Sequence, residues 1–222
     1  MIPAIQELAV LYKAAADSKK SLAMSKYMKG LFVFHGIPSP KRKDIQKEWY
    51  NSINKNGNVE IRTLILELWN QNEREFHYAA IDLLIRQPKK FIQEADSELM
   101  EFLITTHSWW DSVDLIASHC VRNYCSQFPI EGAKLIKKWR KSDNMWLNRA
   151  CLLHQLKYKK ETDFEMLSSL IEQYQRKKEF FIQKAIGWSL REYSKTNPIA
   201  VKAFIEKVNL QGLAKREGSK YL

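Results

Sequence analysis

FHYAAI (residues 76–81), WDSVDL (110–115), WLNRAC (146–151) and FIQKAI (181–186) stand 34, 36 and 35 residues apart and share one layout. Each opens on an aromatic side chain: Phe76, Trp110, Trp146 and Phe181. Four positions later three of them carry a small residue (Ala80, Ala150, Ala185) and the fourth carries Asp114. An apolar residue follows each time: Ile81, Leu115, Cys151, Ile186. Beyond each segment the pattern breaks, and second helical segments run over 129–140, 162–175 and 198–208. A helix pair recurring at this period is the mark of an α-solenoid. The glycine, tyrosine and closing proline positions of tetratricopeptide repeats are missing, and a degenerate HEAT-like array fits better.

The rest of the chain agrees with that reading. Ile61, Leu64 and Leu68 share one helix face, as do Tyr78, Ile81, Leu84 and Ile85. Strand-like alternation is hard to find. Glycine (7) and proline (6) are scarce, and the prolines fall near breaks. The expected fold is all-α: a curved α-solenoid of HEAT-like helical repeats, one domain over 1–222, with a concave surface for a long partner.

Composition sets the class of that partner. Thirty-six basic residues against twenty-five acidic ones give a net charge of +11. An excess of this size points to a polyanion, either nucleic acid or an anionic membrane surface. At 45% apolar residues the 222-residue chain is no disordered tail. No uncharged apolar run approaches the ~20 residues of a membrane helix. Glu7 interrupts the apolar N-terminal part, which lacks a signal-peptide layout. The expected location is therefore cytoplasmic, nucleoid-associated when bound to DNA, with no membrane contact. Cys120, Cys125 and Cys151 are odd in number and form no C-x-x-C pair, which argues against a disulfide framework or a zinc knuckle. The five histidines lack H-E-x-x-H spacing, so no metal site is expected.

Asp114 is the anomaly of the repeat. Aspartate is a poor helix residue and costly when buried without a partner. Trp110 precedes it by one turn on the same face. Arg149 sits one position before the alanine of the next repeat, and Trp188 lies in the repeat after that, flanked by Lys184 and Arg191 at i−4 and i+3. If these helices line one surface, a carboxylate, an arginine and two tryptophans converge. Tryptophan faces attract cations and stack on sugars and bases. A lone carboxylate can stabilise positive charge on a ribose ring as the C1′–N bond breaks. Arginine can grip a phosphate through its two-pronged fork. No second carboxylate stands ready as general acid. That suits only a leaving base that is already cationic, such as an N3- or N7-alkylated purine. The plainer alternative is a tryptophan-rich core with a surface salt bridge between Asp114 and Arg149.

WWDSVD (109–114), DNMWLNRA (143–150), QLKY (155–158), EFFIQKAIGWSLREYSKTNP (179–198) and the N-terminal KYMKGLFVFHGIPSPKRK (26–43) together resemble the AlkD-type DNA alkylation repair proteins. The likeness spans nearly the whole chain. It implies a curved HEAT-like array and monofunctional N-glycosylase action on 3-methyladenine and 7-methylguanine in duplex DNA, with no cofactor needed; the oligomeric state is left open by the sequence, a curved monomer being the default expectation. By the same likeness Asp114 is the catalytic carboxylate, Trp110 and Trp188 flank the lesion's deoxyribose, and Arg149 holds the backbone beside it. Tyr27, Lys43, Lys157 and Arg191 match positions that border DNA, and Lys184 joins them as a candidate contact. The chain departs from the family's F-L-G-I at Phe34-His35-Gly36-Ile37. The competing expectations are a non-catalytic module for branched or damaged DNA, and a protein scaffold.

Overall fold

The structure is a computed structural model that describes residues 2–56 and 60–222. It is all-α: among the described residues there is no strand, only an isolated bridge between Val33 and Glu73. No helix among them is long and apolar enough to cross a membrane. The helices group into two compact units, residues 1–87 and 88–222.

In the first unit α1 (Pro3–Ala14) starts on a proline, whose missing N–H costs nothing at a helix start. It buries Ile5, Leu8 and Tyr12, one stripe at helical spacing. That stripe packs toward α3 (Ser39–Asn56), where Trp49 and Ile53 are buried, while α2 (Ser18–Tyr27) buries no side chain. The pair α4 (Ile61–Trp69) and α5 (Arg74–Arg86) closes the core with Leu64, Ile65, Leu68, Phe76 and Ala80.

One acid ties a loop to this core. The buried Glu75 accepts hydrogen bonds from the backbone N–H of His35 (3.1 Å), Gly36 (3.0 Å) and Ile37 (3.2 Å). Gly36 makes this possible. Its φ is +86°, and a Cβ there would fall 2.1 Å from the Asp17 carbonyl oxygen. The His35 that departs from the family pattern therefore lies in a loop whose backbone is pinned by Glu75.

In the second unit α6 (Asp96–Thr105) precedes α7 (Trp110–Leu115). That helix runs through a π-helical turn (Ile116–Val121) into α8 (Arg122–Gln127). Then come α9 (Pro129–Trp139), α10 (Met145–Leu153), α11 (Phe164–Tyr174), α12 (Phe180–Ser194), α13 (Pro198–Lys207) and α14 (Gly212–Gly218). Side-chain caps fix several starts. Asn144 accepts from the N–H of Trp146 and Leu147, Asp163 from Met166, and Asn197 from Ala200 just before Pro198. The opening helices of successive repeats pack side by side, α7 on α10 and α10 on α12, and each contacts a second helix of its own pair: α8 with α9, α10 with α11, α12 with α13. This is the helical-repeat architecture expected from the 35-residue period. Ala150 and Ala185 are fully buried where these helices meet, as is Ala80 in the first unit. The fourth position of that register holds Asp114.

Candidate functional site

Asp114 lies on α7 one turn after Trp110, so both project from one helix face. Arg149 reaches it from α10. Arg149 Nε donates to Asp114 Oδ1 at 2.7 Å and Nη2 donates to Oδ2 at 2.8 Å, a fork-to-fork pair. The remaining terminal nitrogen, Nη1, donates to the carbonyl oxygen of Phe181 on α12. One guanidinium thus links the opening helices of three successive repeats. Its Cζ lies 5.3 Å from the centre of the Trp188 ring and 5.7 Å from that of Phe181.

The two ends of this pair differ in access. The Arg149 side chain is 1% exposed, whereas that of Asp114 keeps 21% of its surface open. The ion pair of the plainer alternative is thus present, but its arginine is buried. The fork is filled by Asp114, not held open toward a phosphate. Burial pushes the Asp114 carboxyl above the usual aspartate range; the hydrogen bonds and charge of Arg149 pull it back, and Asp111 adds a smaller push upward.

An aromatic wall stands beside the pair. Trp109, in extended conformation just before α7, packs on Trp146 (5.7 Å between ring centres) and on Phe181 (5.1 Å), and Trp146 also meets Phe181 at 5.1 Å. Two of the aromatic residues that revealed the repeat, Trp146 and Phe181, therefore belong to this wall, and Phe181 meets the Arg149 end of the pair. The π turn begins two residues after Asp114. Such turns add one residue to a helix and are frequent at functional sites. Ser118 Oγ donates to the Asp114 carbonyl oxygen at 2.7 Å. His119 Nε2 is 2.8 Å from Lys157 Nζ, and its Nδ1 is 3.1 Å from the Leu115 carbonyl oxygen. An ammonium can only donate, so Nε2 accepts and the ring proton sits on Nδ1. Burial and the Lys157 charge push the His119 pKa down, which favours this neutral form.

Trp188 on α12 is ringed by cations. Besides Arg149, Lys184 Nζ lies 5.8 Å and Arg191 Cζ 6.0 Å from its ring centre. Glu217 of α14 holds both, through Lys184 Nζ at 3.0 Å and Arg191 Nη1 at 3.3 Å. Its carboxyl is held below the usual glutamate range chiefly by the Lys184 hydrogen bond.

The second unit therefore assembles Asp114, Trp110, Arg149, Trp188, Lys184 and Arg191, and Lys157 joins through His119. Tyr27, at the end of α2, and Lys43, on α3, are exposed residues of the first unit. Sequence reasoning missed Glu217, His119 and the Phe181 carbonyl. A backbone carbonyl carries no residue signature, and Glu217 belongs to a short helix outside the repeat period. His119 could have been suspected from its place five residues after Asp114.

A family model described as DNA alkylation repair enzyme matches residues 9–222. Among solved structures, the chain is similar to one titled predicted DNA alkylation repair enzyme from Enterococcus faecalis. The two are 35% identical with a TM-score of 0.85, over 93% of this chain and 96% of that one. A comparison with curated proteins gave no match.

Proposed function

The chain belongs to the DNA alkylation repair enzyme family, and from that premise we propose that it is a monofunctional glycosylase, a hydrolase of base excision repair acting on cationic alkylated purines such as 3-methyladenine and 7-methylguanine in duplex DNA. Family membership makes DNA the substrate class, and the net charge of +11 suits a polyanion. The finer reading rests on one observation: a carboxylate, Asp114, that keeps a fifth of its surface open is oriented by a buried arginine beside Trp188 and is not sealed by it.

In this proposal the alkylated nucleotide's C1′ lies between Trp110 and Trp188. The C1′–N bond breaks and its electron pair leaves with the base, whose positive charge is thereby neutralised, so no general acid is needed. Asp114 stabilises the sugar cation and orients a water that attacks C1′. The water's proton passes to Asp114 or to solvent. The products are the free alkylpurine and an abasic site. Arg149 keeps both carboxylate oxygens in place and favours the ionised form of Asp114 against the effect of burial. Lys157, Arg191, Lys184, Tyr27 and Lys43 contact the DNA backbone, which positions the duplex without reading its sequence. A lyase step has no part in the proposal: Lys184, 5.8 Å from the Trp188 ring centre, is held by Glu217. The chain is taken to act as one domain over 1–222, as a cytoplasmic monomer and without a cofactor.

Base release from a duplex bearing a single 7-methylguanine tests this directly. Wild type releases the base, and Asp114→Asn releases almost none while binding the same duplex. Release by both proteins would remove Asp114 from the mechanism. Absence of release by either, with salt-sensitive binding intact, would make the chain a non-catalytic binding module.

A further inference from the structure

Glu217 is a third acid of this region and plays no part in the chemistry above. It lies on α14, the helix packed most extensively against α12. Gly187 is the reason for that approach, since a Cβ at Gly187 would fall 2.4 Å from Glu217 Cβ. The Glu217 stem is thus seated on the backbone of α12, one residue before Trp188. From there its two oxygens part. Oε1 takes Lys184 Nζ at 3.0 Å, and Oε2 takes Arg191 Nη1 at 3.3 Å. Lys184 and Arg191 are seven residues apart, two turns along one face of α12. Long basic side chains on an open helix face normally sample many rotamers, at an entropic cost when they are fixed. Here one acid fixes both and brings each within about 6 Å of the Trp188 ring centre. Arg149 is neutralised by Asp114, and Lys184 and Arg191 against Glu217 then leave a net charge of +1 in these pairs beside Trp188, the complement of one phosphodiester.

We propose that Glu217 is a positioning residue that holds Lys184 and Arg191 as a two-armed clamp for a single backbone phosphate beside Trp188. The inference deepens the function proposed above and rests on it, because the clamp would seat the nucleotide whose C1′ faces Asp114. Removing the carboxylate keeps both positive arms but releases them from their geometry. Attraction to DNA then persists while the seated nucleotide loses its register, and a misplacement of about 1 Å can cost on the order of a hundredfold in rate.

The experiment has an arm independent of excision. The salt dependence of binding to an undamaged duplex is measured for wild type, Glu217→Gln and the double variant Lys184→Gln/Arg191→Gln. Each phosphate neutralised contributes about 0.9 to the slope of log affinity against log salt. The double variant should lose about 0.9, one phosphate's worth, although it lacks two charges. Glu217→Gln should bind no more weakly than wild type and keep its slope, yet release 7-methylguanine at saturating protein about tenfold to a hundredfold more slowly. A double-variant slope equal to that of wild type, or lower by about 1.8, overturns the single-phosphate clamp. Wild-type release by Glu217→Gln overturns the positioning role. Parallel loss of melting temperature, DNA affinity and release makes Glu217 merely structural. Glu217→Asp is the second variant, since its shorter arm cannot span both cations from the same Cβ; it should show the same selective loss of release. Should wild type release no base, the function proposed above fails, and the slopes alone then judge the clamp.

Discussion

Glu75 and Asp114 are two acids drawn into the two units of one chain, and they are held in opposite ways. Glu75 is closed on all sides: three successive backbone N–H groups take its oxygens, and it is buried in the core of the first unit. Asp114 is held by one side chain that is itself buried, and it keeps a fifth of its own surface open. Backbone donors pin a loop and leave the acid nothing further to do. A guanidinium fixes the direction of a carboxylate and leaves one edge to meet something else. The contrast separates an acid that serves the fold from one available for chemistry.

The sharpest way to break this contrast is to remove the arginine. Arg149→Gln leaves Asp114 without its counter-charge and Phe181 without its donor. Losing one partner of a buried pair costs about 3–5 kcal/mol. Denaturant unfolding should show a loss of that size, with base release falling further than the folded fraction does. A stability within about 1 kcal/mol of wild type would mean that the pair contributes little to holding the three helices together. Next in size, Asp114→Asn keeps the side chain's shape and one acceptor for Arg149. Release should fall by about a hundredfold to a thousandfold, the scale seen when a single electrostatic stabiliser is removed from a reacting centre. Glu75→Gln should do the reverse. Hydrogen bonds to a charged group contribute about 1.5–3 kcal/mol each, and Gln keeps the shape and one acceptor, so a loss of about 2–3 kcal/mol in unfolding free energy is expected. The release rate per folded molecule should be unchanged. A Glu75→Gln protein that folds as wild type but releases base slowly would dissolve the distinction.

The smallest effect is the most specific. Burial raises the Asp114 carboxyl above its ordinary value. Only the ionised form can stabilise a sugar cation, so release should fall as pH drops through the raised value, earlier than an ordinary aspartate would cause. Stability moves the other way. Between the ordinary and the raised value the native state binds the proton that the unfolded chain has lost, so acidification across that window favours the fold on this residue's account. The acids held below their ordinary values, Glu60, Glu101 and Glu217 among them, act at lower pH and in the opposite direction. Melting temperatures of wild type and Asp114→Asn, compared across weakly acidic pH, should show the wild type gaining on the variant while its activity declines. A constant difference would contradict a raised carboxyl.

Much of the second unit was legible because its information is periodic. Phe76, Trp110, Trp146 and Phe181 mark the starts of α5, α7, α10 and α12 to within two residues. The alanine register foretold where helices meet, and Asp114 stood out by breaking it. The pairing with Arg149, which stands one position before the alanine of the next repeat, was the plainer of the two readings the sequence offered. What could not be read was whatever the period does not carry. The three N–H donors to Glu75 come from a loop without repeat. Gly187 resembles any helical glycine until α14 is seen lying on it. The expectation of Arg149 as an open grip for phosphate took the residue's chemistry correctly but not its depth, since pattern alone does not say which of two paired groups is buried. Nor does the sequence show that Lys157 is met by His119, a contact that depends on the extra residue of the π turn.

That turn also constrains what can be altered in this chain. A π segment is an α-helix that has absorbed one residue, so deleting one residue from 116–121 is the obvious way to regularise it. Each residue advances an α-helix by about 100° (a full turn per 3.6 residues), so the deletion would swing one half of the 110–127 helix against the other. Either Asp114 would leave Arg149, or the buried Val121 and Tyr124 would leave the core. The insertion works as a phase shifter between two faces that a uniform helix could not serve together, so it is the length of the segment that the site depends on.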